Sequence, residues 1–500
     1  MDNTPTRLGK PTLDKDLDKL TRLEEATHFI SRGLLAPGIG LIFLALAMIV
    51  AAAFVIDRPG AAVIIAAAAL AAYMAMNIGA NDVANNVSPA VGSRALTMTA
   101  ALVIAAVFET LGALLAGGDV VSTVSEGIVG PASMPPDTLI LAMLAALLSA
   151  AVWINVATWL GAPISTTHAI VGAVMGAGIA AAGAASVDWK LMSGIATSWV
   201  ASPLLGGVIA ALLLFFIKET IIYRDDKIAA ARRWVPGLVG LMSGSFVAYL
   251  SISPLDHLLD LSLGASLLLG LAAGMATYAA SVPFIARQSI GLDNRNQSLR
   301  KLFRVPLIIS AALLSFAHGA NDVANAIGPL AAIVHAAQTA QSGFDHTLPL
   351  WVMLIGALGI SLGLLLFGPK LIELVGKDIT KLNPMRAYCV ALSAAVTVLV
   401  ASAFGMPVSS THIAVGSVFG VGFFREWYTR NSRRRLDYIR KRGGIIDVEE
   451  LEDRNPDEIR RRRLVRRSHF MTIVAAWIIT VPLTAMAAAI LFTLLNGLFG

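Results

Sequence analysis

Gly79-Ala80-Asn81-Asp82-Val83-Ala84-Asn85 returns, residue for residue, as Gly319-Ala320-Asn321-Asp322-Val323-Ala324-Asn325. Each copy sits inside a long apolar run, with Pro89 after the first and Pro329 after the second. A second pair of motifs follows in the same order. Gly161-Ala-Pro163-Ile-Ser165-Thr166-Thr167-His168 is matched by Gly405-Met-Pro407-Val-Ser409-Ser410-Thr411-His412, and Gly172, Gly176 and Gly178 are matched by Gly416, Gly420 and Gly422. Two separated motifs recurring in one order mark an internal duplication.

The runs that carry these motifs decide the class. The 500-residue chain is 56% hydrophobic and 14% charged, where a soluble chain carries about 25% charged residues. Many stretches approach 20 residues with almost no charge, enough to cross about 30 Å of hydrocarbon. A soluble fold cannot bury so many all-round apolar helices. The expected fold is an all-α polytopic membrane protein of two inverted-topology repeats with paired hairpins, about 12 to 13 membrane segments in all. Breakers place the segments at roughly 35–56, 61–92, 97–118, 138–160, 161–180, 191–217, 235–253, 262–286, 305–336, 350–368, 386–404, 407–424 and 470–497. The short ones, 161–180 and 407–424, begin with Gly and Pro and read as half-crossings paired with the preceding helix.

Charge orients them. Loops 218–234, 287–304, 369–386 and 425–469 hold several Lys or Arg, whereas 119–137, 254–261 and 337–349 have none and 183–190 has only Lys190. Basic loops in the cytoplasm put the N-terminus inside and the C-terminus outside. Segments 61–92 and 305–336 then run in opposite directions, the inverted repeat of many secondary transporters. The organisation reads as a polar cytoplasmic tail 1–34, an added helix 35–56, a first repeat 61–217 and a connecting segment 218–304 with two membrane helices. A second repeat 305–424, a basic cytoplasmic loop 425–469 and a last helix 470–497 follow. Asp14 to Glu25 could form a short surface helix. Of the 38 Lys and Arg, 15 lie between Arg425 and Arg467. Interleaved acids and few aromatics there argue against nucleic acid and for a solvated loop. A single cysteine, Cys389, excludes a disulfide framework and reads as a packing residue.

A carboxylate at bilayer depth costs about 3 kcal/mol even on lenient scales, so Asp82 and Asp322 read as functional. Asn81, Asp82 and Asn85, with Asn321, Asp322 and Asn325, share neighbouring helix faces and offer oxygens to a coupling cation, Na⁺, or a carboxyl to a proton. Gly79 and Gly319 are placed to let the helices unwind. In the second motif Pro breaks the chain and hydroxyl residues cap a new helix, whose free N–H groups form an anion site. That makes Ser165, Thr166, Thr167, Ser409, Ser410 and Thr411 candidate donors to a tetrahedral oxyanion. No Lys or Arg lies in either motif, Arg94 being the nearest. The aspartates therefore repel the anion until a cation or proton neutralises them, which couples the two ligands. His168 and His412 read as hydrogen-bonded bundle histidines. Glu109 is a lone intramembrane carboxylate with no counterpart in the second half, readable as a proton site or as facing water. Gly172-x3-Gly176 reads as close helix packing.

The doubled Gly-Ala-Asn-Asp-Val-Ala-Asn and Pro-x-Ser-[Ser/Thr]-Thr-His, with Gly368-Pro-Lys-Leu-Ile-Glu-Leu-Val-Gly376-Lys-Asp-Ile-Thr, resemble the PiT family of inorganic phosphate transporters over roughly residues 61 to 497. The resemblance implies twelve membrane segments with two hairpins, and phosphate held between the repeats by Asp82, Asp322 and the hydroxyls, with cations beside it. The added first helix and polar tail depart from the family pattern. It further implies secondary active import of phosphate with H⁺ or Na⁺, no enzymatic activity and no cofactor beyond Na⁺ as co-substrate. Sulfate or a metal–phosphate complex stays open as the alternative cargo. A channel would need a continuous polar pore, and a phosphate-acting enzyme a metal cluster or a nucleophile with its base, neither of which is evident. The partners expected are inorganic phosphate, Na⁺ or H⁺ and the bilayer of a bacterial inner membrane, with no nucleic acid. A homodimer is left open.

Overall fold

The computed structural model describes residues 34–57, 60–160, 164–253, 261–339, 348–378, 382–441 and 467–499. The polar tail with its expected surface helix, Gly161 and Pro163, and most of the basic loop lie outside the described residues. Fifteen helices are labelled here: α1 Leu34–Val55, α2 Ala61–Gly92, α3 Met98–Ala116, α4 Pro136–Trp159, α5 Thr166–Ala182, α6 Trp189–Ile217, α7 Lys227–Ile252, α8 Leu263–Gln288, α9 Asn296–Leu302, α10 Arg304–Thr339, α11 Leu350–Asp378, α12 Pro384–Ala403, α13 Ser410–Asn431, α14 Arg433–Lys441 and α15 Arg467–Phe499. Eleven helices among the described residues are long and apolar enough to cross a membrane. The two segments expected as half-crossings, α5 and α13, are not among them. Both begin beside aspartates deep within long helices, Asp322 lying near the middle of the 36-residue α10. At 1.5 Å per residue, the 17 residues of α5 rise only about 26 Å from that level. With α4 it forms one hairpin, and α12 with α13 forms the other.

Small residues fix how the helices cross. A Cβ on Gly79 of α2 would fall 1.9 Å from the carbonyl oxygen of Ile360 in α11, and one on Gly363 of α11 would fall 2.1 Å from that of Met76. The second half repeats this: Gly319 of α10 faces the Glu109 oxygen at 2.1 Å and Gly112 of α3 faces the Phe316 oxygen at 2.0 Å. Each motif helix is thus gripped by the partner of the other. Helices α2 and α10 run unbroken through Gly79 and Gly319. These glycines therefore serve backbone-to-backbone packing and not the unwinding their position had suggested.

The hairpins are braced the same way. Gly172 and Gly176 of α5 lie against Val481 and Ala485 of α15, while Gly416 and Gly420 of α13 lie against Pro203 and Gly207 of α6. The packing reading of Gly172-x3-Gly176 is what these contacts show. By packing, α15 is the counterpart of α6 and completes the second repeat, from which the basic loop separates it in sequence. Helices α7 and α8 form a pair of their own, with Gly240 against Gly274 and Gly244 against Gly270. Cys389 is buried in α12 among apolar side chains.

Filling a backbone contact forces helices apart, an overpacking cost of about 1–3 kcal/mol per site. Gly363→Ala and Gly420→Ala are expected to lower the thermal midpoint of the detergent-purified protein by several degrees. Gly92→Ala, with nothing within 4 Å of the new Cβ, should leave it unchanged. Equal midpoints in all three would refute the role of these crossings.

Candidate functional site

The two hairpin tips bring the hydroxyl motifs to the aspartates and their neighbouring asparagines, Asp82 meeting both motifs and Asp322 the second, and each hydroxyl has its own task. The first caps its helix: Ser165 Oγ accepts from His168 N at 3.1 Å and Ser409 Oγ from His412 N at 3.3 Å. The second faces the aspartate of its own half. Thr166 Oγ1 donates to Asp82 Oδ2 at 3.0 Å, and Ser410 Oγ donates to Asp322 Oδ2 at 3.0 Å. The third crosses to the other half. Asn85 Nδ2 donates to Thr411 Oγ1 at 2.8 Å, Asn325 Nδ2 donates to Thr167 Oγ1 at 3.1 Å, and Thr411 also donates to Asp82 Oδ1 at 2.8 Å. The duplication seen in sequence is therefore a duplication of most contacts, broken where Thr411 donates to Asp82 but Thr167 donates to Val408 O at 2.9 Å, and the site is one cluster.

Not every expected residue points there. Asn321 Oδ1 accepts from Val408 N at 3.1 Å, and its Nδ2 donates to Ser402 Oγ at 2.9 Å and Met406 O at 3.1 Å. Its amide is committed to holding the second hairpin, whereas Asn81 Nδ2 has no hydrogen-bond partner within the protein. His168 and His412 lie behind the hydroxyls, their rings 4.4 Å apart and edge to face, with Trp199 3.9 Å from His168. They pack the two hairpins together where the repeats meet.

The residue that sequence reasoning missed is His318. Its Nε2 lies 3.1 Å from Asp322 Oδ2 and 3.8 Å from Asp82 Oδ2, and its Nδ1 lies 3.2 Å from Glu109 Oε1. Asn86 Nδ2 donates to the same Glu109 oxygen at 2.7 Å. All of these side chains are almost fully buried, His318 at 0% exposure and Glu109 at 1%. Glu109, readable from sequence as a proton site or as facing water, thus lies inside, one residue away from Asp82 and Asp322. The repeat equivalents of His318, Asn86 and Glu109 are Ile78, Ala326 and Ile360. The signal for them was the polar positions at which the two halves differ.

Acceptors outnumber donors here. Asp322 Oδ1, Asn325 Oδ1, Asn86 Oδ1 and Glu109 Oε2 are buried without a hydrogen-bond partner within the protein. Oxygen atoms lacking donors suit hard cations, and Asp82, His318 and Asp322 stand close enough for one ion to reach all three. Helix starts rich in hydroxyls suit an oxyanion once those hydroxyls are released from the carboxylates.

A bundle of long apolar helices around a buried, duplicated cluster of carboxylates and hydroxyls has the features of a multi-pass membrane transporter. Residues 78–488 match the model of the phosphate transporter family. A Helicobacter pylori protein named "Putative phosphate permease" is 44% identical, covering 96% of this chain and 99% of its own. A Pyrococcus furiosus protein of the same description is 36% identical over 85% of this chain and 95% of its own. The solved structure of a sodium-dependent phosphate transporter superposes with a TM-score of 0.75 at 34% identity, covering 88% of this chain and all of that one. The chain belongs to the phosphate transporter family; it is a transporter of the plasma membrane, not an enzyme.

Matched contacts should carry matched weight. A hydrogen bond to a charged group contributes about 1.5–3 kcal/mol, so Thr166→Ala and Ser410→Ala should each weaken apparent phosphate affinity roughly tenfold to a hundredfold. Initial-rate uptake across a phosphate series checks this. A loss confined to one half would contradict a shared site.

Proposed function

We propose that the chain imports inorganic phosphate by symport with monovalent cations, and that Asp82 and Asp322 are the point of coupling. One observation carries this: Asp82, Asp322 and Glu109 meet at a single histidine, and among the described residues no Lys or Arg pairs with them. Even with His318 protonated the cluster has surplus negative charge, and in a low-dielectric interior that charge repels an oxyanion strongly. Cations must bind first. Once they neutralise the aspartates, the hydroxyls of Thr166, Ser410 and Thr411 are free to turn from carboxylate to phosphate oxygens. Thr167 and the capping Ser165 and Ser409 complete a ring of donors from both hairpins. Each ligand raises the affinity for the other, which is what symport requires.

We assign sodium as the cation. The unpartnered buried atoms of Asp322, Asn325, Asn86 and Glu109 are oxygens, which hard cations prefer, and the structurally similar protein is named a sodium-dependent phosphate transporter. Asn81, Asn85 and Asn325 would complete the cation ligands, with the backbone supplying others. Protons are the second reading, favoured by the contact of His318 with three carboxylates. Access alternates, on this proposal, by rocking of one repeat against the other about the cluster.

Radiolabelled phosphate uptake into proteoliposomes, with Na⁺ and pH gradients imposed separately, tests the reading. A sodium gradient alone should drive accumulation, unaffected by excess sulfate or by a divalent chelator. Accumulation driven only by the pH gradient would move the coupling to protons. Suppression by sulfate or by the chelator would move the cargo to sulfate or to a metal–phosphate complex. Asp82→Asn and Asp322→Asn should each reduce gradient-driven uptake to background while the protein still elutes as a single folded species. Full uptake in either variant would overturn the coupling role.

A further inference from the structure

At the cytoplasmic end of the bundle a cavity of about 540 Å³ opens between the two repeats. The turn joining α2 to α3 contributes Arg94, the α9–α10 junction contributes Arg300, Lys301 and Arg304, and the start of α12 contributes Asn383 and Arg386. Five cationic side chains thus line one hollow, and among the described residues no carboxylate does.

Positive charge at the inner edge of a membrane protein is expected. Its convergence on one open hollow is not, because like charges repel and spread over a surface unless something holds them. Three details argue for a built site. Arg386 has a guanidinium nitrogen, Nη1, buried with no hydrogen-bond partner, although such a group ordinarily finds an acceptor. The nearby charges that act on it, Arg300 and Arg425 from α9 and α13, are both positive. Arg94 has φ of 61°, the one non-glycine residue among those described with a left-handed backbone. That conformation is uncommon for arginine and orients this turn toward the cavity. Arg304 Nε donates to Ala95 O at 2.8 Å, tying the turn to α10.

Arginine forks match phosphate oxygens in pairs, with strong charge-assisted hydrogen bonds. The volume exceeds what a single phosphate ion needs. Gly92, on the cavity wall, stands ~15 Å of helix rise beyond Asp82, so the cavity is separate from the transport cluster. We propose that it is a second, cytoplasmic binding site for a phosphate-bearing anion, one that links the α2–α3 turn of the first repeat to α10 and α12 of the second. The anion is either a soluble oligophosphate or the headgroup of an anionic phospholipid, two sources of the same chemistry.

Calorimetric titration of the full chain in zwitterionic nanodiscs with tripolyphosphate, a probe too bulky for the transport cluster, tests this whatever that cluster binds. Retained phosphatidylglycerol is measured in parallel by mass spectrometry of protein purified from cells. Loss of two charge-assisted contacts should weaken binding by about tenfold or more in R300Q/R386Q. Such weakening supports the site with a soluble occupant. If the wild type takes up no tripolyphosphate but carries phosphatidylglycerol that R300Q/R386Q loses, the site stands with a lipid headgroup as occupant. Should the double variant not elute as a folded species, R300Q alone, at an exposed position, serves the same comparison. Equal tripolyphosphate affinity and equal lipid retention in wild type and variant would overturn the proposal.

Discussion

Two ionisable carboxylates set at mid-depth among apolar helices impose the conditions that the remaining structure meets. On insertion scales each costs about 3 kcal/mol at the bilayer centre, and their mutual repulsion adds to that. Donors must therefore come to Asp82 and Asp322 at a level where unbroken helices have none to spare. The hairpins answer this by starting α5 and α13 there, which delivers Thr166, Ser410 and Thr411 to the aspartates. A helix that starts in mid-membrane needs lateral support. The close contacts of Gly172 and Gly176 with α15, and of Gly416 and Gly420 with α6, supply it. His318 then contributes, among the described residues, the one nitrogen-bearing side chain that faces both aspartates at once.

How much of this was legible follows from what duplication preserves. The aspartates, the hydroxyls and the order of the hairpins recur, so the candidate site could be read off the repeat, and the apolar runs predicted the helices closely. His318 and Asn86 were not legible because a search for matching positions discards the unmatched ones. Their meaning depends on Glu109, which His318 meets only because α3 packs against α10 through Gly112 and Gly319, and which Asn86 meets from α2. Gly79 was visible but misread. A glycine beside a polar motif suggests unwinding when the neighbouring helix is unknown, and a carbonyl oxygen 1.9 Å from its absent Cβ explains it otherwise. The basic loop hid the kinship of α15 with α6, because packing identifies the pair and hydropathy does not.

The unmatched residues bear on direction. Two identical halves facing each other would make inward and outward states equivalent in energy, with nothing to distinguish a cation bound in one half from one bound in the other. Glu109, His318 and Asn86 break that equivalence and do so at the shared centre, where Asp82 meets Asp322. The hairpins differ as well. Asn321 fastens the second hairpin through Ser402, Met406 and Val408, while the amide nitrogen of Asn81 holds nothing. Thr158, the counterpart of Ser402, likewise has a hydroxyl without a partner. Among the described residues, then, the fastening contacts of the second half have no equivalent in the first. The rocking proposed above needs such an inequality, since motion of one half against the other requires that they not be held alike at the same moment. The duplication supplies two sets of groups of the same chemistry, and the few residues that depart from it give them unequal surroundings.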